Sequence, residues 1–411
     1  MSKRHVAAVV AGNALEFYDF LIFSFFALPI GHTFFPADKP ETSLLLTLAT
    51  FGAGFLTRPL GGFVIGLVAN RAGRKPAMLL SFALMGVSML GLACTPPFAM
   101  IGVAAPVLAL AWRLLQGFAV GGEVGATTTT LVEGAPRGHG GLFGQIQIAT
   151  QQAAVMIVGL VGVVLSAHLG AAAMNGWGWR AAMLAGLLVV PVGLVIRRSL
   201  PETLHAPEPA TPPPPFGTAR ILFLTFVVLA SGTVGTYVLN TLGTYAVSTL
   251  KMDPQVSFAA TLVRGACGVV SALVGGALSD RFGRRGPMIV TTLIAGVTAV
   301  PLLMLVAATR SPAALLSAAG ILGSVVAIGG MPALVVAIEA LPARLRAGAA
   351  GTTYAFAISV FGGSTPFAVT WLTQVTHDPL TPGWYLAGAA AVGLVALRFL
   401  PETAPGRGKE V

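Results

Sequence analysis

Apolar runs too long for the core of a soluble domain recur from Val6 to Leu400, and they leave the backbone few options. A bilayer core is about 30 Å thick, so a helix needs about 20 apolar residues to cross it, and many of these runs reach that length. A segment in hydrocarbon must satisfy its own N–H and C=O groups, and the runs lack the period-2 alternation of barrel strands. Each is therefore expected to be a helix. Hydropathy gives approximate spans of 6–31, 43–68, 77–95, 100–129, 142–168 and 178–197, then 218–246, 256–278, 288–308, 313–339, 348–374 and 382–399. The expected fold is an all-α membrane protein with twelve transmembrane helices. Composition agrees, because 55% of the 411 residues are hydrophobic and only 9% are charged, too few to coat a soluble globule.

The loops set the orientation. Lys3, Arg4, Arg71, Arg74, Lys75, Arg281, Arg284, Arg285 and most of the other basic residues fall on one side, whereas Lys39, Arg180, Lys251 and Arg310 fall on the other. The positive-inside rule makes the first side, with both termini, cytoplasmic. The net charge of +10 is thus mostly topological. Scattered over separate loops, it forms no continuous patch, so no nucleic-acid partner is expected. The first apolar segment carries Glu16 and Asp19 and has no small-residue cleavage site, so it reads as a retained helix. Cys94 and Cys267 fall inside spans, where neither a disulfide nor a metal or redox arrangement is expected.

The sequence also repeats itself. Gly66-Leu-Val-Ala-Asn70-Arg71-Ala-Gly73-Arg74-Lys75 recurs as Gly276-Ala-Leu-Ser-Asp280-Arg281-Phe-Gly283-Arg284-Arg285, and Arg198-Ser-Leu-Pro-Glu-Thr203 as Arg398-Phe-Leu-Pro-Glu-Thr403. In each half the first motif joins the second and third spans and the other ends the sixth. Two six-helix units in one orientation follow, at 1–203 and 218–411. Between them a polar, Pro-rich stretch at 204–217 reads as an extended cytoplasmic linker. Parallel repeats of this kind are a transporter plan, with the substrate site near the midplane between the halves.

The Gly-x-x-x-Asp-Arg-x-Gly-Arg-Arg loop is a signature of the major facilitator superfamily, which this chain resembles over its whole length. The resemblance implies a conformational latch at Asn70, Arg71 and Arg74 in the first copy and at Asp280, Arg281 and Arg284 in the second. The first copy departs from the pattern in having Asn70 where the family usually has Asp, which weakens that latch. Further motifs resemble the metabolite:proton symporter family. They are Gly12-Asn13-Ala-Leu-Glu16-Phe-Tyr18-Asp19-Phe20, Arg58-Pro59-Leu-Gly-Gly62, Arg113-Leu-Leu-Gln116-Gly117 with Gly121-Gly-Glu123, and Trp177-Gly-Trp-Arg180. Ala104-Ala-Pro106, Thr150-Gln151-Gln152, Phe361-Gly-Gly-Ser-Thr-Pro366 and Pro382-Gly-Trp-Tyr385 look most like the citrate and tricarballylate carriers. The resemblance implies a bacterial inner-membrane symporter, functional as a monomer, that imports a small organic anion with protons as coupling ion and no cofactor. The fifth span lacks the Gly-Pro motif of proton-coupled drug antiporters, which weighs against drug export.

Ionisable groups inside a bilayer cost about 2.5–3.5 kcal/mol each on insertion scales, so those present need partners or functions. Asp19 and Arg113 each lie about thirteen residues into their spans from opposite faces, so their depths are compatible with contact. Asp19 is the expected proton site and Arg113 its partner, freed for a substrate carboxylate when Asp19 is protonated; a structural ion pair is the competing reading. Glu16, three residues before Asp19, and Glu123 are the other candidate carboxylates for coupling. Arg58 and Arg264 are further buried cations whose planar fork suits a carboxylate. Asn13, Tyr18, Gln151, Gln152, Tyr237, Asn240, Tyr245, Ser364 and Thr365 occupy interior depths and complete the candidate pocket, although an interhelical hydrogen bond explains any one of them equally well.

The functional expectation is proton-driven import of an organic anion, foremost a tricarboxylate such as citrate, by alternating access. No Walker-type loop is present, so ATP is not the expected driver. The six His residues show no metal spacing, and no nucleophile and base are arranged as in an enzyme. Three alternatives stay open: another carboxylate or a zwitterion as cargo, export, and a membrane sensor that kept the fold.

Overall fold

The computed structural model describes residues 13–14, 17–72, 74–121, 128, 131–132, 134–136, 138–187, 217–330, 332–341 and 346–404. Among these residues all regular structure is helical. In chain order the spans are α1 (17–34), α2 (40–72), α3 (Arg74–Cys94), α4 (Ala104–Val120), α5 (Gly140–His168) and α6 (Trp179–Leu187). The second bundle holds α7 (Thr218–Ser248), α8 (Pro254–Phe282), α9 (Arg285–Thr309), α10 (Pro312–Ala340), α11 (346–376) and α12 (Thr381–Phe399). Eight of them are long and apolar enough to cross a bilayer unaided, and α1 joins them as a bent pair. The linker expected at 204–217 lies, apart from Gly217, outside the described residues, as do Glu16, Glu123 and the end of the sixth span.

Proline explains where these helices start and where they break. Pro40, Pro254, Pro312 and Pro382 sit in the first helical turn, where a missing N–H costs nothing. Asp253 adds a side-chain cap, accepting from Gln255 N at 2.6 Å. Inside α1, Pro29 cannot donate to Phe25 O and its ring crowds that carbonyl, so the span turns by 70° between Phe17–Phe25 and Ala27–Phe34. Span α10 is likewise interrupted, ending one segment at Ile328 and resuming at Pro332.

The two bundles meet mainly along α5 and α8, where glycines let backbones touch. A Cβ on Gly159 would lie 2.4 Å from Leu262 N, and one on Gly265 would lie 2.3 Å from Met156 N. A second crossing joins α2 to α11, where a Cβ on Gly52 would lie 2.5 Å from Gly363 O. In lipid there is little hydrophobic drive between helices, so this small-residue packing holds the seam.

Candidate functional site

The centre of the first bundle is a charged cluster walled by aromatic rings. Arg113, on α4, is fully buried (0% exposed), and its guanidinium lies 4.5, 4.7 and 5.0 Å from the ring centroids of Phe20, Phe23 and Phe51. Its Nη1 donates to Gln116 Oε1 and, at 3.5 Å, to Phe20 O, while Nη2 donates to Phe51 O at 3.5 Å. Arg58, on α2, stacks on the same Phe20 ring at 4.2 Å and on Phe55 at 4.3 Å. Phe20 therefore serves two cations, and each desolvated stacking contact is worth up to about 2 kcal/mol.

Asp19 precedes Phe20 and is also buried. It lies within electrostatic reach of Arg113, yet no ion pair joins them. The Asp19 backbone carbonyl accepts from Gln116 Nε2 at 3.4 Å, and that amide also reaches toward the carboxylate, whose oxygens make no hydrogen bond of good geometry among the described residues. Asp19 and Arg113 are thus electrostatic neighbours without a direct salt bridge: the Arg113 head is held by Gln116 and two backbone carbonyls, and Asp19 stands beside it.

Arg264 of α8 has different surroundings. It is 2% exposed, and its one hydrogen bond among the described residues runs from Nη1 to Asn240 Oδ1 of α7. Its Nε has no acceptor among the described residues. The Nε/Nη2 edge, which can take a carboxylate in bidentate fashion, is left open. Tyr237 of α7 connects the two centres: its phenol lies within electrostatic reach of Arg58, Arg113 and Arg264, and its ring packs 5.7 Å from Phe55. Across the seam Tyr354 of α11 lies within electrostatic reach of Tyr237 and Arg58 and close to the Gln151 side chain of α5, and Thr365 is buried with its hydroxyl unpartnered among the described residues.

Other candidates fall outside this cluster. The hydroxyl of Tyr18 donates to Ala182 O at 3.0 Å, a tie between α1 and α6. Asn13, ahead of α1, donates to Thr150 Oγ1 and accepts from Gln147 Nε2 at 2.7 Å, fastening that part of the chain to α5. Tyr245 donates to Pro379 O at 2.7 Å in the loop before α12, far from the centre of the span. Ser364 bonds its own helix at Val360 O and shares an exposed stripe with Val360, Phe367 and Trp371, so it faces lipid. Gln152 is buried against Gly268.

The basic ends of the two bundles are locked by the second motif copy. Asp280 accepts from Gly141 N at 2.7 Å and Leu142 N at 2.9 Å, the free amides at the start of α5 in the other bundle. Arg284 pairs with Asp280 at 2.6 Å and with Glu339 at 2.7 Å. Glu402 accepts from the N–H groups of Arg284, Arg285, Thr403 and Ala404. Burial alone would raise its pKa, but these four donors outweigh that and hold it below the usual carboxylate range. Arg281 stacks on Phe282 at 5.4 Å and takes no part in the lock. In the first copy Arg71 is exposed, and the side chains of Asn70 and Arg74 lie outside the described residues.

Sequence reasoning missed the Phe cage, Gln116, Tyr354 and Glu339. Gln116 follows Arg113 by three positions on one helix, a spacing that could have flagged it. Glu402 stood in the repeated Pro-Glu-Thr motif without a role.

Comparisons with known proteins agree with this architecture. The family model of the Major Facilitator Superfamily matches residues 9–366. A citrate-proton symporter of Salmonella typhi is 36% identical over 410 residues, covering 96% of this chain and 93% of that protein. The alpha-ketoglutarate permease of Escherichia coli is 33% identical, covering 98% and 96%. Among solved structures, a partially occluded inward-open form of the xylose transporter XylE from E. coli matches with a TM-score of 0.75 at 15% identity, covering 99% of this chain and 98% of that one. At that identity the match speaks for the fold alone.

Proposed function

We propose, from the premise that the chain belongs to the Major Facilitator Superfamily, that it imports a polycarboxylate of the citrate class together with protons. The two bundles rock around the central cluster and expose it to one side at a time. Both termini face the cytoplasm of a bacterial inner membrane, on the strength of the basic loops, and the monomer is the working unit.

One observation carries the choice of an anion. Arg264 is a buried guanidinium with an open bidentate edge and no counter-charge among the described residues. Burying an uncompensated charge costs several kcal/mol, and a substrate carboxylate offsets that cost. Asn240 orients the fork, and Tyr237 stands between it and the arginines of the first bundle. A second carboxylate on the substrate then reaches the field of Arg58 and Arg113, so one ligand engages both bundles.

Asp19 supplies the coupling. Its carboxyl group lies beside Arg113 with only the Gln116 amide near its oxygens among the described residues, and a proton taken up there is discharged on the other side as the bundles exchange access. Arg113 stays in its cage and acts on the substrate only through its field. The names of the relatives support this reading, two being citrate-proton symporters and one an alpha-ketoglutarate permease. The last keeps a dicarboxylate as the second reading.

The test is uptake of labelled citrate into proteoliposomes under an imposed inward proton gradient, with di- and monocarboxylates and betaine as competitors. Gradient-dependent accumulation, inhibited by polycarboxylates and not by betaine, is expected. Binding without translocation would point to a sensor.

A further inference from the structure

The tenth span is broken close to the basic seam. Its first segment ends at Ile328 and its second begins at Pro332. In a continuous helix the N–H of residue 332 would donate to Ile328 O, and proline has none. That carbonyl nevertheless has a donor, and the donor comes from the other bundle. Gln145 of α5 reaches it through Nε2 at 2.6 Å and also touches Ala327 O at 3.4 Å.

Gln145 is 0% exposed, and its Oε1 has no hydrogen-bond partner among the described residues. An amide that leaves its oxygen orphaned in a dry site is held there by its nitrogen. Its neighbours make room for it: a Cβ on Gly276 would stand 3.1 Å from Gln145 Cβ, and one on Gly275 would stand 2.6 Å from Ile328 O. One turn earlier on α5 lie the Gly141 and Leu142 amides that Asp280 receives.

We infer that Gln145 is a positioning residue of the transport cycle, supplying from one bundle the hydrogen bond that Pro332 denies to the broken tenth span of the other. The break is satisfied only while the basic seam is shut. Parting the bundles strands the Ile328 carbonyl until water reaches it, so the proline sets the strength of the latch. The Asp280 contact differs, because it lies at a helix end where solvent can replace it. The inference rests on the transport reading for its cycle, but the motion itself can be measured without any cargo.

The experiment is a double-mutant cycle read by thiol labelling. Val335 of α10 is 0% exposed and packs on Gly144 of the other bundle, so Val335→Cys in a chain carrying Cys94→Ala and Cys267→Ala reports opening of the seam. Labelling is followed in inside-out vesicles with an impermeant maleimide. Gln145→Leu is expected to speed labelling roughly tenfold, the scale of one buried hydrogen bond. In the Pro332→Ala background, where residue 332 donates to Ile328 itself, the same substitution is expected to change the rate by less than about twofold. An unchanged rate in Gln145→Leu, or an equal rise in both backgrounds, overturns the inference. Should Gln145→Leu fail to accumulate, Pro332→Ala must restore it, and failure to do so is equally fatal. Citrate uptake is scored separately, so loss of the cargo assignment leaves the labelling result intact.

Discussion

Arg113 and Arg264 are the same side chain buried in the two bundles, and their surroundings have little in common. Arg113 is closed in by three Phe rings, Gln116 and two backbone carbonyls, with Asp19 beside it. Among the described residues Arg264 has one hydrogen-bond partner, Asn240, and an open edge. A caged cation holds its position whatever the ligand does, whereas an open one must wait for an anion. On the proposed reading the first bundle serves the protons and the second the substrate, with Tyr237 between them.

Five substitutions try this division, the most severe first. Asp19→Asn should abolish accumulation driven by a pH gradient while leaving citrate counterflow in place, measured side by side in proteoliposomes. Accumulation that still follows the gradient would remove the proton role from the first bundle. Arg264→Gln should raise KM for citrate roughly 10- to 100-fold, the scale of a charge-assisted hydrogen bond, with Lys at that position recovering only part of it.

Arg113→Gln should act mainly on stability. It removes the Gln116 bond and the stacking on three Phe rings, at about 1–3 kcal/mol in all, lowering Tm, with KM of the folded fraction changed by less than about threefold. A large KM effect would erase the contrast between the two arginines. Glu402→Gln probes the lock outside the membrane. A carboxylate depressed in the folded state stabilises above its unfolded pKa, about 4.3, and that contribution fades as pH falls through the folded value. The variant should therefore melt below the parent at pH 7, with the gap closing toward pH 4. Ser364→Ala, on the lipid-facing stripe, should leave uptake kinetics unchanged.

Hydropathy and loop charge made the spans legible, and the depth of Asp19, Arg113 and Arg264 followed from residue counting. What counting cannot supply is rotation about each helix axis. Ser364 and Thr365 are neighbours at one depth, yet one faces lipid and the other is buried with its hydroxyl unpartnered among the described residues. For Tyr245 and Tyr18 the alternative of an interhelical tie is the one seen, since their hydroxyls donate to the backbone carbonyls of Pro379 and Ala182. The Phe cage was hidden because its rings come from two spans whose mutual orientation only packing sets. The break in α10 was foreshadowed by Pro332, but its donor lies 187 residues earlier at Gln145, beyond any local pattern.

The central claim is that the anion docks on Arg264 and not on Arg113. It is tested most directly by equilibrium binding of labelled citrate to the purified protein, comparing Arg264→Gln with Arg113→Gln. The account predicts that the first loses affinity by about tenfold or more while the folded fraction of the second keeps nearly all of it. Undiminished binding by Arg264→Gln would contradict it.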